Sequence, residues 1–213
     1  MTIRMLLIAA VLCLHVPAMF SETPIDGRQE KEAVASLNAS AAAIKTIDAS
    51  FTQVKSISLL NDKLVAQGKL LFSAPDCLRW EYTKPYRYTF IMNGHRVKFS
   101  NSRGTNVVDL NTAKLFRNIA DIIMQTVTGR CLGPDSRFRY RIYPAGADMW
   151  KIVLTPKDKQ MAAMFSNVTL KVSRKSGKLH SIEIKEKAGD VTEITFNTFR
   201  TGIAVPAQYF KVD

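Results

Sequence analysis

The stretch QGKLLFSAPDCLRWEYTKPYRYTFIMNG, residues 67–94, decides the fold. Its apolar residues recur at every second position: Gly68, Leu70 and Phe72, then Leu78, Trp80 and Tyr82, then Tyr88, Phe90 and Met92. A period of two marks β-strands with one face turned to the interior. Pro75, Pro85 and Asn93-Gly94 fall between the runs, where proline and Asn-Gly make turns. Gaps this short join strands antiparallel.

Outward from this block the same period continues. Strands are predicted over 48–58, 63–73, 77–83, 88–93, 96–101, 105–109, 138–145, 149–156, 166–173, 179–186 and 191–201. Leu64 and Ala66 extend the apolar face of 63–73. The later runs repeat it with Phe138, Tyr140 and Ile142, with Trp150, Ile152 and Leu154, with Val168, Leu170 and Val172, and with Ile194 and Phe196. Asn61-Asp62, Arg103-Gly104, Gly146 and Lys175-Ser176-Gly177 supply turns. Three segments break the period. Residues 31–45, with Val34, Leu37, Ala41 and Ile44 at helical spacing, predict an amphipathic helix. Residues 111–128 place Leu115, Ile119, Ile122 and Val127 near one helical face, widened by Phe116 and Ile123, with Gly129 as the stop. Residues 158–165 predict a helical turn or a loop. The sum is a mainly β (α+β) chain: about eleven antiparallel strands curled into an incomplete barrel, with helices over one face or end.

Residues 1–18 differ in kind. Arg4 precedes an unbroken apolar run over 5–14 and then Val16-Pro17-Ala18. The run is too short to cross a bilayer and has no polar face, so a secretory signal peptide is expected, cleaved after Ala18 or as late as Ser21. Residues 19–30 then predict a flexible leader and 31–213 a single domain. Leu12 before Cys13 is not the small residue a lipoprotein signal needs, so the exported chain is expected to be unanchored and periplasmic.

Of the 213 residues, 46% are hydrophobic and 23% charged, enough for a sizeable core in one globular unit. The formal net charge of +12 becomes +11 once Arg4 leaves with the signal segment. Export argues against a nucleic-acid partner. Anionic lipid headgroups, an acidic partner or a merely solvated surface remain, since the charges are scattered. Cys77 and Cys131 are the cysteines of the exported chain. An oxidising compartment allows a disulfide between them, and two buried free thiols are the favoured alternative.

No catalytic residue, metal ligand or cofactor is expected. His95 and His180 lack a cysteine, serine or acid at a motif spacing, the cysteines are too far apart for a zinc pattern, and no glycine-rich phosphate loop occurs. Glu81, Glu183 and Glu186 are candidate acids that nothing in the sequence brings together.

The block from Gln67 to Gly94 resembles the LolA family of periplasmic outer-membrane lipoprotein carriers. The likeness lies in the glycine-bearing strand Gln67-Gly68-Lys69-Leu70-Leu71-Phe72, the turn at Pro75, the aromatic strand Leu78-Arg79-Trp80-Glu81-Tyr82, Pro85, and the hairpin Phe90-Ile91-Met92-Asn93-Gly94. Ala49-Ser50-Phe51-Thr52-Gln53 is similar to the family's first strand, Leu154-Thr155-Pro156-Lys157 to its Leu-x-Pro-Lys/Arg turn, and residues 192–196 to its late strand. The resemblance implies an eleven-stranded incomplete barrel under a helical lid. It implies lipoprotein or other lipid acyl chains as ligand, with an inner-membrane transporter as donor, an outer-membrane acceptor and a monomeric carrier. Leu70, Phe72, Leu78, Trp80, Tyr82, Phe90 and Met92 would line the cavity, and Leu115, Ile119, Ile122 and Ile123 the lid. A one-residue change of register would exchange each set for its neighbours. Two departures stand out: Ala74 occupies the position before Pro75 where family members carry a lid-holding arginine, and Asp213 follows Phe210 closely, without the tail of some members.

A carrier makes physical sense. Each buried methylene of an acyl chain is worth about 0.8 kcal/mol, so a three-chain anchor leaves a bilayer only for comparable apolar surface. Two other classes fit the same chain: a carrier or sensor of a glycolipid or phospholipid, and an exported hydrolase of unfamiliar type.

Overall fold

In a computed structural model, residues 23–60, 62–112, 124–126 and 128–212 are described. The chain runs α1 (Gly27–Ala43), β1 (Thr46–Ile57), β2 (Asp62–Ser73), β3 (Cys77–Lys84), β4 (Tyr88–Asn93), β5 (Arg96–Asn101) and β6 (Gly104–Asp109). After a 3-10 turn at Arg130–Leu132 come β7 (Phe138–Ala145), β8 (Met149–Pro156), α2 (Lys159–Met164), β9 (Phe165–Ser173), β10 (Leu179–Glu186) and β11 (Val191–Thr201). A second 3-10 turn, Ala207–Phe210, follows. Each strand predicted from alternation is present within two residues of its expected bounds.

The strands make one antiparallel sheet in the order β6-β5-β4-β3-β2-β1-β11-β10-β9-β8-β7. Two meanders are thus fused where β1 pairs with β11, from Ile47 opposite Thr201 to Ser56 opposite Val191. The sheet curls: Val97 on β5 and Ile142 on β7, near its two ends, are both fully buried in one apolar core. Irregular pairing at Ser50/Phe51 and Gln67/Gly68 supplies local bends. The barrel stays incomplete because β6 and β7 each have a single strand neighbour. The free edge of β7 is met by the Ile25 N–H, which donates to the Ile142 carbonyl at 2.8 Å, so part of this edge is satisfied without a twelfth strand.

That bond also moves the helix boundary. Residues 19–30 were expected as a flexible leader, yet Ile25 is buried and α1 begins at Gly27, helped by an Arg28–Glu32 pair at 2.7 Å one turn apart. Anchoring Ile25 fixes the residues just before α1 against the sheet. Ala33 and Leu37 are the buried face of α1, with Val34 and Ile44 packed partly against the same core. Of the helix predicted over 111–128, residues 124–126 are helical, the Thr128 N–H donates to the Met124 carbonyl at 3.0 Å, and Gly129 at φ 71° takes the left-handed turn that ends it. The segment 158–165 is α2, whose first turn is capped by Asp158 accepting from the Gln160 and Met161 N–H groups.

The convex side carries a second, smaller core. The segment after β11 folds back so that Phe210 and Val212 pack on Ile91, with Leu71 and Cys77 at the margin. Asn93 Nδ2 donates to the Phe210 carbonyl at 3.2 Å and holds this strap. The two thiols therefore sit in different cores. Cys131 is buried in the concave one, Cys77 is half-buried in the convex one, and both are free. The two thiols are not joined in this structure. One further expectation fails. Leu64 continues the alternation of Ala66, Gly68, Leu70 and Phe72, which predicts it on the apolar face, but it is exposed. The cause is register: β3 ends at Lys84, opposite Gln67, and leaves Leu64 with no neighbour on that side.

Candidate functional site

The concave face is built from alternate residues of neighbouring strands brought into line by register. Ile47 pairs with Phe72, Phe72 with Leu78 and Leu78 with Met92 in one row; Ala49, Leu70, Trp80 and Phe90 form the next. Leu70, Phe72, Leu78, Trp80, Phe90 and Met92 are all buried in a single cluster, and Tyr82 packs partly buried against it. All seven residues predicted for the cavity thus share one face.

At its centre lies Phe51, a residue not among those seven. It pairs with Gly68, where a side chain would collide with the Phe51 ring, so the ring lies across the glycine. Around it, Trp80 stands at 4.5 Å between ring centroids, Tyr82 at 5.6 Å edge-on and Phe196 at 6.5 Å. The ring contacts continue outward from Tyr82 to Tyr88 and on to Phe99 and Phe90, and on the other side from Phe196 to Phe199. An aromatic band therefore crosses β11, β1, β3, β4 and β5. The signal that could have found its centre was Gly68 itself: a glycine in an alternating apolar run marks close approach of another group.

The band is not wholly apolar. Tyr82 Oη donates to Gln53 Oε1 at 2.7 Å, and burial raises the Tyr82 phenol above its ordinary value. Burial likewise raises Tyr88. The Trp80 indole N–H lies close to Tyr82 but has no hydrogen-bond partner among the described residues.

A groove of about 720 Å³ opens at one end of this face. Its walls are the end of α1 (Asn38, Ala42), the Ala74-Pro75 turn and the segment from Arg130 to Ser136, and Phe72 connects it to the aromatic face. Ala74, the position where the family resemblance implies an arginine, borders this groove. Arg130 also lines it, and its Nε donates to Thr128 Oγ1 at 3.0 Å. The predicted lid residues Leu115, Ile119, Ile122 and Ile123 lie outside the described residues.

The candidate acids are not assembled into a site. Glu81 pairs with Arg79, Glu186 with Lys55 and Glu183 with Lys185. His95 is exposed, 3.9 Å from Asp109, and His180 is exposed. Among the described residues no group of three potential metal ligands occurs, and no helix is long and apolar enough to cross a membrane.

The sequence over residues 42–213 matches the family model described as outer membrane lipoprotein carrier protein LolA. An outer-membrane lipoprotein carrier protein of Methylococcus capsulatus is 25% identical over 169 residues, covering 78% of this chain and 76% of the relative. One of the same description from Chromobacterium violaceum is 24% identical, covering 85% and 83%. Among solved structures, an uncharacterized conserved protein from Thermus thermophilus superimposes with a TM-score of 0.53 at 9% identity, over 86% of this chain and 94% of that one, a likeness of fold. With the family model spanning most of the chain and the eleven-stranded open sheet in place, the protein belongs to the LolA family of outer membrane lipoprotein carriers.

Proposed function

We propose that this chain is a periplasmic carrier, without catalytic activity, that holds lipoprotein acyl chains against its concave aromatic face and moves lipoproteins from the inner to the outer membrane. The observation that carries the reading is the continuous band centred on Phe51, joined through Phe72 to the open groove. Volumes of roughly 300–1,000 Å³ are usual for ligand pockets, and the groove falls within that range. In this reading the groove is the point of entry, and Leu70, Leu78, Trp80, Tyr82, Phe90 and Met92 are reached as the chains advance. Those side chains are packed on one another here, so loading exchanges their mutual contacts for contacts with methylenes, one apolar environment for another. That near balance lets a carrier both take up and release cargo. Methionine and the flat rings suit it, since both adapt to an irregular guest. Leu115, Ile119, Ile122 and Ile123 are proposed as the cover.

Purification from the periplasm followed by mass spectrometry of bound lipid tests the reading. Triacylated peptides are the expected cargo. Bound phospholipid or glycolipid alone would make the protein a carrier of another lipid, and a chain that binds no acyl probe at all would end the proposal. Trp80→Asp places a charge on the buried face, where it cannot be hydrated. Normal acyl uptake by a folded Trp80→Asp variant would remove Trp80 from the cavity.

A further inference from the structure

On the β3 side the β1–β2 hairpin reaches beyond its neighbour. Its strands remain paired out to Ile57 opposite Asp62, whereas β3 stops at Lys84, opposite Gln67. Residues 62–66 therefore extend past the last β3 pair, roughly 17 Å of strand at about 3.4 Å per residue. Leu59 at the tip is 91% exposed and Leu60 67%. Leu64 and Val65 are each 54% exposed, and as adjacent strand residues they point to opposite faces, so this part of β2 is covered on neither face. Isolated surface leucines are ordinary, but four large apolar residues gathered on one projection are not.

The projection is held rather than loose. At its base Lys55 Nζ lies 2.9 Å from Glu186 and 3.5 Å from Asp190. The Ser58 N–H donates to Asp190 Oδ1 at 3.0 Å, and Ser58 Oγ to the Ala188 carbonyl at 3.2 Å. The strand ends and turns at this end of the antiparallel sheet carry Lys63, Lys84, Arg87 and Arg103, all exposed and none with a carboxylate partner among the described residues. Of the nearby acids, Glu186 and Asp190 share Lys55 and so keep one net negative charge between them, and Asp62, which accepts from the Lys63 N–H, adds another, so the four cations still outnumber the acids at this end. A rigid pair of leucines in front of a rim of unpaired cations matches the two layers of an anionic bilayer surface, where cations meet the headgroups and leucines the acyl boundary.

We propose that the Leu59-Leu60 tip inserts into phospholipid bilayers bearing anionic headgroups and docks this end of the sheet on the membrane. The inference stands on the hairpin and not on the carrier reading. Flotation of the purified protein with vesicles of equal phosphatidylglycerol and phosphatidylcholine tests it, against vesicles of phosphatidylcholine alone. Binding is expected to be at least about tenfold stronger to the anionic vesicles and to weaken with salt. Leu59→Ser/Leu60→Ser should reduce it at least about tenfold, while the circular dichroism spectrum and acyl-probe binding in solution stay those of the wild type. Lys84→Gln/Arg87→Gln should reduce it several-fold and flatten the salt dependence. Absence of wild-type flotation overturns the inference, as does undiminished binding by the leucine variant. A tip found seated in a protein groove with no vesicle binding also overturns it, in favour of a protein partner.

Discussion

If Gly68 exists to receive the Phe51 ring, the two residues must be energetically coupled in a particular direction. A methyl at Gly68 would come within 2.7 Å of Phe51 Cε1 and closer still to Phe51 Cζ and the Glu81 carbonyl oxygen. Overpacking of that kind costs about 1–3 kcal/mol. Phe51→Ala empties the centre of the band: the side chain is 1% exposed, and its neighbours Trp80, Tyr82 and Phe196 are fixed on paired strands that cannot collapse inward. The expected cost is about 3–5 kcal/mol. In the double variant the ring no longer opposes the methyl, but the Glu81 carbonyl still does. Gly68→Ala should therefore be cheaper in the Phe51→Ala background by at least about 1 kcal/mol, without becoming neutral. Urea unfolding of the four proteins, with midpoints compared at constant slope, measures this. Additivity within about 0.5 kcal/mol would refute the argument that Gly68 is glycine for the sake of Phe51.

Burial pushes the Cys131 thiol from 9.0 up to about 12, so above pH 9 the unfolded chain loses this proton while the native one keeps it. Stability should then fall as pH rises from 9 towards 12, by up to about 1.4 kcal/mol per pH unit relative to Cys131→Ala, as read by urea unfolding at several pH values. Native Cys131 should also resist thiol reagents at pH 8 while the half-buried Cys77 reacts. Asp158→Ala removes the acceptor for two N–H groups at the start of α2 and should cost about 0.5–2 kcal/mol, with Asp158→Asn recovering most of it in the same denaturation assay. Asp190 is held below the usual carboxylate range, chiefly by the Ser58 N–H, so its contribution is present at neutral pH and lost as pH falls through its lowered value. Asp190→Asn should speed hydrogen exchange at the Ser58 amide while amides in β3 and β4 are unchanged.

The strands were legible because alternation is a local property. Each run of apolar residues two apart declared its own face, and Leu70, Phe72, Leu78, Trp80, Phe90 and Met92 do share one. What local reading could not supply was register across neighbours. Leu64 continues the alternation of β2 faultlessly, yet it is exposed because β3 ends opposite Gln67. Phe51 is the one aromatic residue of its strand, flanked by Ser50, Thr52 and Gln53, with no aromatic run to single it out, and its central place depends on facing Gly68 from a different strand. Ile25 reads as leader because its hydrogen-bond partner, Ile142, is more than a hundred residues away on the edge of β7. Phe210 and Val212 fall after the last strand, where no periodicity assigns a face, and they cover the convex side through contacts with Ile91. In each case the missing information is a pairing between distant segments, and the concave face is made of such pairings. The residues that belong to it can be recognised from sequence one strand at a time, but which of them stands at its centre is decided only when β1 closes against β2 and β11.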